Sequence, residues 1–206
     1  MSTLRIYRDD GLLATALGRR VGAAVPLGPL GLTLLGAAPL LVVLVAWRAD
    51  LPPAGAGLAA VAFLIVAAGS AGPRAAEGRL AWTVPPLLRL LEYAVAIRLT
   101  VLADRDALPL CFALLGVLAF HHYDVVYRVR HQGAPPPAWT SPAGGGWDGR
   151  LLLVYVLAVA GALGPGLLAA ALALAALYVG ESIASWVRFE RAATQTVYED
   201  EDVADE

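Results

Sequence analysis

The chain has 206 residues, 59% of them hydrophobic and 16% charged, with a mean hydropathy of +0.67 and a formal net charge of −2. A soluble domain carries about a quarter charged residues and a bundle in water needs polar outer faces, whereas Leu151–Gly180 holds no charge at all. These features exclude a soluble fold in favour of an integral membrane protein. The slight negative charge argues against nucleic acid as a partner. The single cysteine, Cys111, has no intramolecular disulfide partner and is read as a packing residue.

Residues 1–20 are polar enough to stay out of a bilayer and read as a cytoplasmic surface segment. Arg8-Asp9-Asp10-Gly11 has the character of a turn, and Asp10 is expected to cap a short helix over Gly11–Arg20. Leu12, Leu13, Ala16 and Leu17 give that helix one apolar side for a membrane surface. Residues 21–187 form the transmembrane domain, whose first apolar run is too long for a secretory signal. The first span is Val21–Trp47, its helix proper starting near Pro29 after an irregular approach. Leu51–Ala71 is the second, Trp82–Ala103 the third and Ala107–Tyr127 the fourth. A Pro- and Gly-rich connection, Arg128–Arg150, carries Trp139 and Trp147 at interfacial positions. Leu151–Leu163 and Leu167–Val187 follow as a hairpin broken at Gly164-Pro165-Gly166. Residues 188–206 are an acidic tail, expected to be disordered.

The predicted fold class is therefore all-α, a polytopic transmembrane bundle of six spans with both termini cytoplasmic. A five-span arrangement, with Leu151–Val187 crossing once, is the alternative. Six spans place Arg5, Arg8, Arg19, Arg20, Arg74, Arg79, Arg128, Arg130, Arg150, Arg188 and Arg191 on the side of the termini, and only Arg48 and Arg105 opposite. That asymmetry is the positive-inside signal.

At a rise of about 1.5 Å per residue, Arg89 falls roughly 10 Å into the third span and Glu92 near its middle. His121, His122 and Asp124 occupy the last turns of the fourth span. Glu181 sits one or two turns inside the sixth, and Asp148 and Arg150 guard the start of the fifth. Ionisable groups at such depth face a bundle interior or a wet cavity, so the spans are expected to share a cytoplasmic-facing polar cavity. His122, Asp124 and Glu92 are the candidate catalytic residues, as general bases. Arg89 and Arg128 suit phosphate, and Tyr123, Tyr127, Asp148, Arg150 and Glu181 complete the candidate binding set.

Structural roles compete with each of these. Arg89 and Glu92 could form an ion pair with a neighbour such as Glu181, Asp124 with Arg128 could anchor a helix end, and Asp148 could be an N-cap. His121, His122 and Asp124 have metal-ligand atom types but lack a further spaced ligand, so no metal site is assigned, and no cofactor is indicated. Arg98 is expected to snorkel outward. Ala169, Ala173, Ala176 and Gly180 read as a small-residue helix-packing face.

Tyr7-Arg8-Asp9-Asp10-Gly11, Glu92-Tyr93, His122-Tyr123-Asp124 with Tyr127-Arg128, and Gly146-Trp147-Asp148-Gly149-Arg150 resemble an uncharacterised actinobacterial membrane domain of unknown function. In longer relatives that domain looks like the C-terminal part of fusions carrying a nucleotidyltransferase-like segment and a CDP-alcohol phosphotransferase domain. The resemblance implies a bacterial plasma membrane, membrane lipids as partners, and phospholipid headgroup chemistry at the cytoplasmic leaflet. The phosphotransferase motif itself, Asp-x-x-Asp-Gly-x-x-Ala-Arg then Gly-x-x-x-Asp-x-x-x-Asp, is not met. Tyr7 stands for its first aspartate, Thr15 for its arginine, and Val21–Trp47 contains no acid. Without those carboxylates two divalent ions cannot be held. The leading expectation is a non-catalytic partner of a CDP-alcohol phosphotransferase in phospholipid biosynthesis. The alternatives are a membrane enzyme acting on a phosphorylated or prenyl-linked lipid, and a transporter or flippase for a lipid intermediate.

Overall fold

The computed structural model describes residues 3–22, 26–47, 50–52 and 54–204, with side chains as far as Arg191. Arg48 and part of the approach to the first span lie outside the described residues, as do residues 205–206. Among the described residues all regular structure is helical. The helices are α1 (Thr3–Arg8), α2 (Leu12–Val21), α3 (Pro29–Ala46), α4 (Ala54–Ser70), α5 (Val84–Ala103), α6 (Leu108–His131), α7 (Thr140–Ala143), α8 (Gly146–Val159) and α9 (Leu163–Ala204).

Composition and length explain these elements. α3 begins at Pro29, where a missing N–H costs nothing, and α5 and α6 likewise carry proline in their first turns. Pro29–Ala46, Arg105–His131 and Leu163–Arg191 are long and apolar enough to cross a membrane, and Ala54–Ser70 is a shorter apolar helix. Their outer faces are apolar too: Leu41, Val42 and Val45 on α3, Phe63 on α4, Phe112 on α6, and Leu172 and Ile183 on α9 are all exposed. In water such a continuous surface is a liability, whereas in lipid it is the expected outer face. The described chain is all-helical, and three of its helices are long and apolar enough to cross a membrane.

The core runs through the bundle along Leu40, Leu64, Leu88, Leu99, Leu114, Leu118, Leu151 and Leu167. α3 packs on α4, α5 on α8, and α6 on α9. The Tyr155 hydroxyl of α8 donates to the Ala54 carbonyl at 2.7 Å, tying α8 to the start of α4.

Several expectations change. The hairpin breaks at Ala160–Ala162, not at Gly164-Pro165-Gly166. Gly161 takes the left-handed conformation (φ 67°) that ends α8, and Pro165 falls in the first turn of α9. Arg98 reaches the C-terminal end of α3, where it donates to the carbonyls of Leu44 (3.2 Å) and Trp47 (2.6 Å), which that end leaves without helical partners. Ala169, Ala173, Ala176 and Gly180 face outward, while Leu163, Leu167, Ala171 and Tyr178 form the buried stripe of α9. Helix α9 continues to Ala204, through most of the tail expected to be disordered. The N-terminal segment is not a separate surface piece: Arg8, Asp9 and Ala14 are buried, and α2 lies against α4 and α8.

Candidate functional site

The polar residues gather at the bundle end where α5 and α8 begin and α6 finishes. Asp9 lies between α1 and α2 in the left-handed region (φ 53°), a conformation aspartate tolerates better than most residues. Its carbonyl accepts the Trp147 N–H at 3.1 Å. Two tight segments interlock there, since a Cβ on Gly11 or on Gly146 would fall on the backbone of the other segment. Trp147 Nε1 donates to Asp10 Oδ1 at 2.8 Å, and Arg8 Nε bonds the same carboxylate at 2.9 Å.

Asp148 has the role expected of an N-cap, but for a helix 137 residues away in sequence. Its Oδ1 accepts Gly11 N at 2.6 Å, and its Oδ2 accepts Leu13 N at 3.1 Å and Ala14 N at 3.0 Å. It thus satisfies the orphan donors at the start of α2, whose own N-cap, Gly11, offers no side chain. Asp10, expected in that role, is taken by Arg8 and Trp147. Asp148→Ala is expected to lower stability by about 1–2 kcal/mol, the cost of a lost cap, with Asp148→Asn between it and wild type. Melting temperatures of the three proteins in detergent check this.

Arg150 is the centre of the buried charge. Its NH2 meets Asp9 Oδ2 at 2.8 Å and Glu92 Oε2 at 3.2 Å, and its NH1 meets the Tyr178 hydroxyl at 3.1 Å and the Gly144 carbonyl at 3.3 Å. Nε completes the pair with Glu92 Oε1 at 2.5 Å. Burial alone raises a carboxyl pKa. At Asp9 the Arg150 guanidinium, aided by His121 and His122, overcomes that and holds the group well below the usual carboxylate range. A second cluster clamps α6 to α9. Arg128 forms a fork on Glu181 at 3.0 and 2.7 Å and pairs with Asp124 at 2.7 Å, and Ser182 donates to Asp124 at 3.0 Å.

Above the Arg150 network lies a cavity of about 700 Å³. Arg5, Asp9, Asp10, Thr15 and Arg19 of the N-terminal segment line it, with Arg89 of α5, His121, His122, Val125 and Val129 of α6, and Pro135–Ala138 and Thr140–Pro142 of the connection before α8. Arg5 and Arg19 are exposed, and Arg89, half-buried, donates to the Tyr7 carbonyl at 3.1 Å. His122 Nδ1 is 3.1 Å from the Tyr93 hydroxyl, and His121 stacks on Tyr178 at 3.8 Å.

All four motif segments meet at this end of the bundle, and one family accounts for them. The chain belongs to a family of unknown function, DUF5941, whose match spans residues 1–202. No curated protein and no solved structure matches the chain. Membership in DUF5941 thus carries no reaction with it, and the chemistry rests on the geometry.

Of the candidate catalytic residues, His122 lines the cavity, Glu92 is held below it by Arg150, and Asp124 belongs to the α6–α9 clamp. Of the candidate binding residues, Arg89 lines the cavity. Arg150, Asp148, Arg128 and Glu181 are engaged in the buried pairs above. Tyr123 is 68% exposed on the outside of α6 and stacks with Tyr127, which packs at a tilt against His131 and Trp186. Among the described residues no cluster of three or more His, Cys, Asp or Glu side chains is arranged to hold a metal. Sequence reasoning missed Asp9, Arg5, Arg19 and Tyr178 as members of the site. The available signal was a paired acid beside glycine in a charge-poor chain, and a lone tyrosine in an otherwise aliphatic run.

Proposed function

We propose that this chain binds a phosphorylated headgroup in the cavity, at the cytoplasmic end of a six-span bundle with both termini in the cytoplasm. We further propose that it works as a non-catalytic partner of a CDP-alcohol phosphotransferase in phospholipid biosynthesis. The observation that carries the binding reading is the free positive charge of the cavity. Among the described residues Arg5, Arg19 and Arg89 line it without a carboxylate partner in an ion pair, whereas the acids in its wall are paired, Asp9 with Arg150 and Asp10 with Arg8. Guanidinium groups recognise phosphate through directed, charge-assisted hydrogen bonds. The arginine asymmetry and the return of the chain at Ala160–Ala162 support six spans. The resemblance and the missing acid motif support a partner role.

One observation favours a second reading, an enzyme acting on a phosphorylated or prenyl-linked lipid. His122 stands in the cavity wall with the Tyr93 hydroxyl on one nitrogen and Asp9 3.6 Å from the other, as a general base is oriented.

The test is mass spectrometry of the tagged protein purified gently from its native membrane, scoring bound lipids and proteins. A phosphorylated lipid or headgroup is expected in stoichiometric amount. The double substitution of Arg5 and Arg19 by alanine is expected to lower its recovery by roughly tenfold, the effect of losing charged hydrogen bonds. Recovery of bulk lipid alone, unchanged by the substitutions, ends the binding reading. A stoichiometric phosphotransferase supports the partner role, and conversion of the bound lipid by the purified chain alone replaces it with the enzyme.

A further inference from the structure

The cavity wall also carries a demand that phosphate cannot meet. Asp9 is 5% exposed, and while its Oδ2 is held by Arg150, its Oδ1 has no hydrogen-bond partner among the described residues. The nearest polar atom in an ion-pair geometry is His121 Nε2, 3.8 Å away, beyond hydrogen-bond reach. Among the described residues His122 Nε2 is likewise buried and unpartnered, 3.6 Å from Asp9 Oδ2, while Tyr93 engages the other ring nitrogen. On the same wall Arg89 Nε is a buried donor without an acceptor.

An ionised carboxylate oxygen can only accept, and leaving it buried without a donor is costly. A phosphate dianion brings no proton and adds like charge, so it does not fill this gap. A hydroxyl can donate to Asp9 Oδ1 and stay within reach of His122. An ammonium group could also donate, as could a metal ion accept the carboxylate. Either cation, however, adds positive charge beside the Arg89 guanidinium in the same wall, which repels it. The two requirements, donors for an anion and an acceptor for a hydroxyl, lie in one wall.

We propose that the ligand is a phosphorylated polyol, its phosphate facing Arg89 and the rim arginines and one hydroxyl donating to Asp9 Oδ1. This rests on the phosphate-binding reading above and adds the class of headgroup.

Calorimetry on the full chain in phosphatidylcholine nanodiscs tests this with sn-glycerol 3-phosphate, ethyl phosphate and phosphoethanolamine. The glycerol ester is expected to bind at least roughly tenfold tighter than the other two, because only it brings a neutral hydroxyl to a charged acceptor. Asp9→Asn is expected to shrink that ratio to within about threefold, since the acceptor loses its charge. Should this variant fail to fold, the comparison in wild type decides by itself. Equal binding of glycerol and ethyl esters overturns the polyol and leaves the phosphate reading standing. Tighter binding of phosphoethanolamine overturns it in favour of an amine, and absence of binding by all three removes both readings. Repeating the titration in phosphatidylglycerol nanodiscs separates the sources. Competition places the polyol on a lipid headgroup, and its absence points to a soluble phosphate ester.

Discussion

Replacing Arg150 with alanine is expected to abolish folded yield. The guanidinium serves two buried carboxylates, Asp9 and Glu92, and holds the Tyr178 hydroxyl and the Gly144 carbonyl besides. Breaking one buried pair from a single side costs about 3–5 kcal/mol, because the remaining charge is left in a medium that cannot solvate it. Two such carboxylates, against a typical total stability of about 5–15 kcal/mol, leave little to hold the fold. Arg150→Lys keeps the charge but not the planar fork that reaches both acids at once, so an intermediate loss is expected. Monodisperse yield and melting temperature after size exclusion in detergent measure all three proteins. An Arg150→Ala protein that melts close to wild type would mean that the network contributes no stability and that Arg150 is free for a ligand.

The second large effect separates two glycines three residues apart. Gly146 has φ 58° and lies against Gly11, so an alanine Cβ there falls on backbone N and Cα atoms that have no room to move. Gly149 is helical with no heavy atom within 4 Å of the added position. Gly146→Ala is therefore expected to push the N-terminal segment off α8, losing the Asp148 cap and the Trp147–Asp10 bond together. Gly149→Ala is expected to be neutral or stabilising by roughly 0.5–1 kcal/mol, the ordinary preference of a helix interior for alanine. Limited proteolysis near residues 9–11 reads the difference, with rapid cleavage expected in Gly146→Ala alone. Equal resistance of both variants would show that the interlock of the two segments is dispensable.

What the chain determined by itself was the set of helices and the kind of medium they need. Apolar run length, proline in first turns and the scarcity of charge are local properties, and they mark α3 to α6, α8 and α9 without reference to neighbours. The gathering of polar residues toward one bundle end was legible for the same reason, since depth along a helix follows from residue count. Partner choice was not. Arg89 and Glu92 share a helix face, yet Glu92 pairs with Arg150, 58 residues on, and Arg128, suited to phosphate by type, is paired with Asp124 and Glu181. Asp148 looks like a cap for the helix it begins and caps another one instead. The outward turn of Ala169, Ala173 and Ala176 shows the same limit, because small residues permit close approach without specifying which helix approaches. Side-chain type sets what a group can bind. Only the tertiary arrangement decides which groups have spent that capacity on each other and which, like Arg89 Nε and one oxygen of Asp9, have no hydrogen-bond partner among the described residues.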